Sequence, residues 1–107
     1  MQSVFLALAD PTRRLIIQRL LQEDAVTATR LAAGLSITRQ AVTKHLNALV
    51  EAGLLTSRVE GRERQYMLRP KPLQEITAWI VQIEAQWNAR LDALHQHLMQ
   101  QERKNQP

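Results

Sequence analysis

Residues 36–55, SITRQAVTKHLNALVEAGLL, change their hydrophobic period once, at a glycine, and that change restricts the folds open to the chain. Val42, Leu46, Leu49 and Val50 recur at steps of four, three and one, which puts them on one side of a helix. Thr38 stands before this run as a candidate N-cap, and Gly53 followed by Leu54 and Leu55 closes it as a C′ glycine. Beyond Gly53 the period becomes two: Leu55, Ser57 and Val59 alternate with Thr56, Arg58 and Glu60. Gly61-Arg62 then supplies a turn, and residues 65–68, including Tyr66, favour a second strand. An amphipathic helix running directly into a β-hairpin is expected.

The side of this helix opposite the apolar stripe carries Arg39, Gln40, Thr43, Lys44 and Asn47, side chains of the kind that reach base edges and phosphates. Every amphipathic helix has a polar side, so the residue types alone decide little. The charge pattern decides more. Residues 25–50 contain no Asp or Glu but hold Arg30, Arg39, Lys44 and His45, whereas an ordinary solvated surface mixes both signs. A polyanion is the expected partner. The hairpin carries Arg58, Arg62 and Arg64 against Glu60 and Glu63, which suits phosphate contact or minor-groove insertion; keeping an edge strand soluble is the alternative role.

The rest of the chain supplies helices around this unit. Val4, Phe5 and Leu8 suggest a short first helix, and Asp10-Pro11 opens a second with an N-cap and a proline at the first helical position. The second helix is expected to run to about Asp24, with Leu15, Ile16, the Arg19 stem, Leu20 and Leu21 as its apolar face. Arg13 and Arg14 fall in its first turn, where the macrodipole disfavours cations, so an acidic partner or a phosphate is expected for at least one. Thr27 caps a third helix through Ala33, and Gly34-Leu35-Ser36 forms the turn into the next, as a helix-turn-helix requires; on this feature alone an unrelated helical hairpin is the alternative. Pro70 and Pro72 separate the hairpin from a long last helix. There Leu73, Ile76, Ile80, Ile83 and Trp87, then Leu91, Leu94 and Leu98, step by threes and fours in a heptad-like seam.

These elements compose a mainly α fold with a small β-hairpin: a winged helix-turn-helix of about five helices plus a two-stranded wing. The chain reads as a single domain over 1–107, with a dimer-supporting helix at 1–9, a helical core at 10–53, the wing at 54–69, a dimerisation helix at 72–100 and a polar tail at 101–107. With 107 residues, 45% of them apolar but only four aromatic, the core is modest, and a seam of this length exceeds what one small domain covers. Pairing with a second copy is expected through Val4, Phe5, Leu8, Ile76, Ile80, Ile83, Trp87, Leu91 and Leu94. Trp79 and Trp87 read as interface and core residues, with an effector pocket as the minor alternative. The charge divides the same way: residues 1–72 carry a net +5 and residues 73–107 a net −1, so nucleic-acid contact belongs to the first part.

Composition also narrows the function classes. No apolar run approaches the roughly 18 residues of a membrane span, and the start MQSVFLALADPTRR lacks the basic region of a secretory signal, so a cytoplasmic location is expected. Zero cysteines exclude disulfides and thiolate metal sites. There is no Gly-rich phosphate loop, no recognisable Ser-His-Asp set and no paired carboxylates, so an enzyme is not expected.

The order of elements, with the strings ALADPTRRLIIQRL, SITRQAVTKHLNALVEAGLL and VEGRERQYML, resembles the ArsR/SmtB-type winged-helix repressors over roughly residues 3–98. The last helix, WIVQIEAQWNARLDALHQHL, looks most like the cysteine-free branch that does not sense metal. The resemblance implies a homodimer on a palindromic operator in double-stranded DNA, repressing its own or adjacent genes and often releasing DNA on binding an effector. By position it assigns DNA contact to Thr38, Arg39, Gln40, Thr43, Lys44 and His45; His45 lies nearer the buried side and equally suits a structural hydrogen bond to a preceding helix. Members of the family that sense metal use a cysteine pair before the turn or Asp, His and Glu on the last helix. Here the first place reads Ala28-Thr29-Arg30-Leu31-Ala32, and the second offers only Asp92, His95 and His97, with His97 rotated about 200° from His95, so neither metal nor cofactor is expected. Two other readings stay open: a winged-helix protein-interaction module, and an effector-sensing repressor with a ligand site at the dimer interface.

Overall fold

The computed structural model describes residues 1–105. The elements run α1 (Gln2–Leu8), α2 (Pro11–Leu20), α3 (Ala28–Leu35), α4 (Arg39–Glu51), β1 (Leu55–Glu60), β2 (Glu63–Leu68) and α5 (Lys71–Asn105). The strands pair antiparallel with Leu55 opposite Leu68 and Glu60 opposite Glu63. This is the winged helix-turn-helix expected from the sequence. By its contacts the chain forms two compact units, Met1–Gln74 and the part from Glu75 onward.

Local chemistry starts and stops most helices where the sequence places them. Asp10 caps α2: its Oδ1 accepts from the backbone N–H groups of Thr12 at 2.8 Å and Arg13 at 3.1 Å, and Pro11 occupies the first turn, where no hydrogen-bonded N–H is needed. Thr27 Oγ1 accepts from the Arg30 N–H to cap α3, and Thr38 Oγ1 accepts from the Ala41 N–H to cap α4. The end of α4 is a Schellman motif. Gly53 takes φ 81°, its N–H donates to the Val50 carbonyl, and the Leu54 N–H reaches back to the Leu49 carbonyl at 3.0 Å. Leu49 and Leu54, the two residues this motif brings together, are fully buried, so the chain enters β1 with its direction set by apolar contact as well as by hydrogen bonds.

The core of the first unit is aliphatic. Val42, Leu46 and Leu49 of α4 have no exposed surface and are joined by Ile16, Ile17 and Leu20 of α2, Leu31 of α3, Val26, Leu54, Leu55 and Tyr66. Val4 and Ala7 of α1 are buried as well. Burial of several large side chains in so small a unit supplies most of its stability, at about 1.5–3 kcal/mol for each Leu, Ile or Val removed from water.

Four boundaries and faces differ from the sequence reading. α2 ends at Leu20, not near Asp24, because Val26 is drawn into an extended bridge with Tyr66, donating to its carbonyl at 3.1 Å and accepting from its N–H at 2.8 Å. Residues 21–25 must leave the helix to reach it. The buried face of α2 is Ile16, Ile17 and Leu20, while Leu15 and Leu21 are exposed: with Leu15-Ile16-Ile17 and Leu20-Leu21 all apolar, the sequence does not specify which of them turn inward. α3 continues through Gly34 and Leu35, and the left-handed residue of the turn is Ser36, with φ 57°. Gly34 is helical, and a Cβ there would meet only the end of the flexible Arg19 side chain, at 2.5 Å from Nη2. Finally, α5 extends through Asn105, so the residues 101–105 assigned to a polar tail are helical, and residues 106 and 107 lie outside the described part.

In the unit from Glu75 onward, the apolar seam stays in contact with solvent. Ile80, Ile83, Trp87, Leu91, Leu94 and Leu98 are all exposed, between 42% and 56%, and Ile76 is the one buried residue of α5. The helix spans about 50 Å at 1.5 Å per residue. Among the described residues no helix is long and apolar enough to cross a membrane.

Gly53 provides a test of the α4 end. No atom lies within 4 Å of a Cβ added there, so the only penalty of Gly53→Ala is its positive φ. The substitution is expected to destabilise the protein by about 1–2 kcal/mol, read as a lower midpoint in denaturant with an unchanged slope.

Candidate nucleic-acid interface

The site is assembled on one face of α4. Because Val42, Leu46 and Leu49 face inward with no exposed surface, helical geometry turns Arg39, Gln40, Lys44 and Asn47 outward, and all four are exposed. Thr38 is exposed at the start of the helix with its hydroxyl engaged as the cap. Thr43 is half-buried, and its hydroxyl donates to the Arg39 carbonyl at 2.9 Å. That bond uses the Thr43 proton and leaves an acceptor and a methyl group to present.

The turn before α4 holds this face in place. Ser36 reverses the chain in a left-handed conformation, and Thr38 begins the next helix, so α3 and α4 form the helix-turn-helix pair. Along the other edge stands the wing. Its loop is Gly61-Arg62, with positive φ at Gly61 and not at Arg62, the pattern of a type II′ turn. This geometry matches the right-handed twist of the strands and leaves Arg62 exposed at the tip. Arg58 and Arg64 are exposed on opposite strands. Nη1 of Arg64 donates to Ser57 Oγ at 3.0 Å, and Arg58 lies 3.8 Å from Glu60, a loose surface pair that costs little to separate.

Helix and wing meet in a cleft of about 200 Å³ lined by Thr27, Thr29, Arg39, Thr43, Glu63, Arg64 and Tyr66. Here the first residue of α4 and a wing arginine line one cleft, although 25 residues separate them in the sequence. The sequence reading missed Thr27 and Thr29 as neighbours of this surface. Their placement follows from the Val26–Tyr66 bridge, which pins the start of α3 against the root of the wing. A single bridging residue has no periodicity to reveal it.

His45 differs from the other candidates. It is half-buried, lies about 140° round the helix from Gln40, and its Nδ1 accepts from Nε of Arg13 on α2 at 3.3 Å. Of the two roles open to it in the sequence, the structure shows the hydrogen bond to a preceding helix. Arg13 and Arg14 also acquire partners within the chain: Nη1 of Arg14 donates to the carbonyls of Leu8 at 2.7 Å and Ala9 at 3.1 Å, at the end of α1. Those carbonyls offset the unfavourable position of a cation at the start of α2.

On α5, Asp92, His95 and His97 are exposed, and His97 pairs through Nε2 with the Gln101 side chain at 3.2 Å. Among the described residues no three His, Cys, Asp or Glu side chains are grouped so as to hold a metal ion. Trp79 and Trp87 are both exposed.

Comparison with known proteins agrees with this geometry. Residues 8–58 match a family model described as a helix-turn-helix domain. The chain is 40% identical over 85 residues to the HTH-type transcriptional regulator YuzN of Bacillus subtilis, an alignment covering 73% of this chain and 92% of that protein. Among solved structures it is similar to an ArsR-like transcriptional regulator from Rhodococcus sp. RHA1, with 41% identity, 89% of each chain covered and a TM-score of 0.76. The chain belongs to the ArsR-type family of helix-turn-helix transcriptional regulators. It is also similar to a homodimeric winged helix-turn-helix DNA-binding domain from Mycobacterium bovis, at 26% identity, covering 79% of this chain and 77% of that one, with a TM-score of 0.63. The protein is therefore a DNA-binding transcriptional regulator, in a family of regulators and not of enzymes.

The Asp10 cap that begins α2 yields a pH prediction. Hydrogen bonds from the backbone of Arg13 above all, and from Thr12, with the nearby charges of His45 and Arg13, hold its carboxyl below the usual range against an opposing desolvation effect. A lowered folded-state pKa contributes stability above the unfolded value of about 3.9, which is lost as pH falls through the folded value. Asp10→Ala is expected to lower Tm at pH 7, with the difference from the parent protein shrinking as the pH is taken below about 3.9 in thermal melts.

Proposed function

We propose that the protein is a homodimeric repressor that binds a palindromic operator in double-stranded DNA at its own or an adjacent promoter. The observation that carries this reading is the exposed, acid-free face of Arg39, Gln40, Lys44 and Asn47, backed by a fully buried stripe on the same helix. A face of this kind enters the major groove. Gln40 pairs bidentately with adenine, Arg39 with guanine or a phosphate, and Lys44 with a guanine or a phosphate. Thr43 offers its methyl group to thymine, and Thr38 and Asn47 lie at the ends of the same face. Arg62 at the wing tip and Arg58 and Arg64 beside it contact flanking phosphates or the minor groove. These are binding roles; no residue is assigned a catalytic one, and the protein works in the cytoplasm.

The dimer is supported by the seam on α5. Ile80, Ile83, Trp87, Leu91 and Leu94 present a contiguous apolar row to water, which a single small protein rarely leaves uncovered. A second copy of the helix covers it, with Phe5 of α1 a further exposed apolar contact. Val4 and Ile76, expected at the interface, are already buried within one chain, so they add little to a partner. Two-fold symmetry then sets two recognition helices about one turn of DNA apart, and occupation of the operator blocks the promoter.

Selection of bound fragments from random duplex DNA is expected to recover a palindrome with half-sites about 10 base pairs apart. On that operator, Gln40→Ala relaxes preference at one base, at a cost of about 1–3 kcal/mol, while Lys44→Ala or Arg62→Ala weakens binding to all duplexes and lowers the salt slope by about 1. Failure of the protein to retard any duplex at low salt would favour a protein-interaction role instead. Leu91→Glu paired with Leu94→Glu is expected to give monomers in sedimentation equilibrium and at least a roughly hundredfold loss of operator affinity through lost avidity.

A further inference from the structure

The bond between Arg13 and His45 joins α2 to the side of α4 that faces away from the DNA-reading residues. A guanidinium nitrogen only donates, so Nδ1 of His45 must accept, and a neutral ring that accepts at Nδ1 carries its proton on Nε2. The packing of Val42, Leu46 and Leu49 sets which side of α4 turns inward, but small rotations about the axis change the distance of an apolar contact little. A directional bond away from the stripe refines that rotation. With side-chain tips about 6 Å from the helix axis, a 20° rotation of α4 moves each by about 2 Å, enough to spoil a bidentate contact.

We propose that Arg13 is a positioning residue for base recognition: its hydrogen bond to His45 holds the rotation of the recognition helix, and the bond persists only while the His45 ring is neutral. This proposal rests on the DNA-binding reading above. Protonation at Nδ1 turns the acceptor into a donor and sets two cations against each other, so Arg13 and His45 separate.

The surroundings of His45 concentrate the effect on this pair. From α2, Arg13 and the capping Asp10 face it, and Asp10 is held by backbone hydrogen bonds at the start of its own helix. α1 carries no ionisable side chain. In α3 the one charged residue, Arg30, is ion-paired with Glu23, and in β1 Arg58 lies against Glu60. On α4 itself Glu51 lines a groove together with Arg13, Ser3, Leu6, Ala7, Ala48 and Ala52, while Arg39 and Lys44 are on the exposed face. Arg14 is held by the α1 carbonyls and Arg19 lies beside Gly34, so neither substitutes for Arg13.

The test compares affinity for the selected operator duplex with that for a scrambled duplex, at pH 7.5 and 5.5 and constant ionic strength. For the parent protein the preference should fall roughly tenfold or more on acidification, the scale of one lost hydrogen bond to a charged group. His45→Asn places an acceptor that does not titrate near the position of Nδ1 and should keep its preference at both pH values. Arg13→Met should show low preference at both, with affinity for scrambled duplex retained. An equal loss on acidification in His45→Asn and the parent protein, or full preference in Arg13→Met, would overturn the proposal. Long-range proton–nitrogen NMR of the DNA-free protein provides a readout that does not depend on DNA: the His45 ring should be the Nε2–H tautomer at pH 7.5, and an Nδ1–H tautomer rules the bond out. If the parent protein bound no duplex at all, the DNA reading and this role would fall together; binding with no difference among the variants removes the role alone.

Discussion

The structure depends on the inward packing of Val42, Leu46 and Leu49 on α4. A helix has one rotation about its axis, so turning these three side chains into the core also turns Arg39, Gln40, Lys44 and Asn47 out. The same apolar driving force that stabilises the first unit therefore aims its polar face. The ends of the helix complete the placement: the Thr38 cap gives it a defined start, and the Gly53 Schellman motif hands the chain to β1 in a set direction.

The wing is placed by backbone hydrogen bonds together with the buried side chains of Leu54, Leu55 and Tyr66. Leu54 accepts from the Arg69 N–H at 2.8 Å, closing the base of the hairpin, and Val26 pairs with Tyr66 on the outer edge of β2. An unpaired strand edge is thus partly covered at its root, while the tip with Arg62 is left accessible. One consequence is that α3, α4 and β2 share the cleft lined by Arg39 and Arg64. Helix and wing line one cleft, and a single bridging residue joins the connector after α2 to the sheet.

α5 follows a different logic. Its apolar seam is as regular as that of α4, but it remains exposed along most of its length, so its periodicity serves a surface and not the core of its own chain. Periodicity reports which side of a helix is apolar; what covers that side is a separate question. The same limit explains α2, where Leu15, Ile16, Ile17, Leu20 and Leu21 are all apolar and the structure buries only Ile16, Ile17 and Leu20.

The features determined by the sequence alone are those whose causes lie within a few residues. Caps at Asp10, Thr27 and Thr38, the C′ glycine at position 53, the two-residue hairpin turn at Gly61 and the inward stripe of α4 all follow from contacts between near neighbours, and each stands as expected. The outward set of Arg39, Gln40, Lys44 and Asn47 was legible for the same reason. Tertiary structure decided the rest. Val26 pairs with Tyr66 across 40 residues of chain, and Arg13 meets His45 across 32. Neither contact leaves a periodic trace, because each is a single pair chosen by where the core brings two distant segments. That choice ended α2 early, set the start of α3 against the wing, and turned His45 away from the polar face toward a second helix.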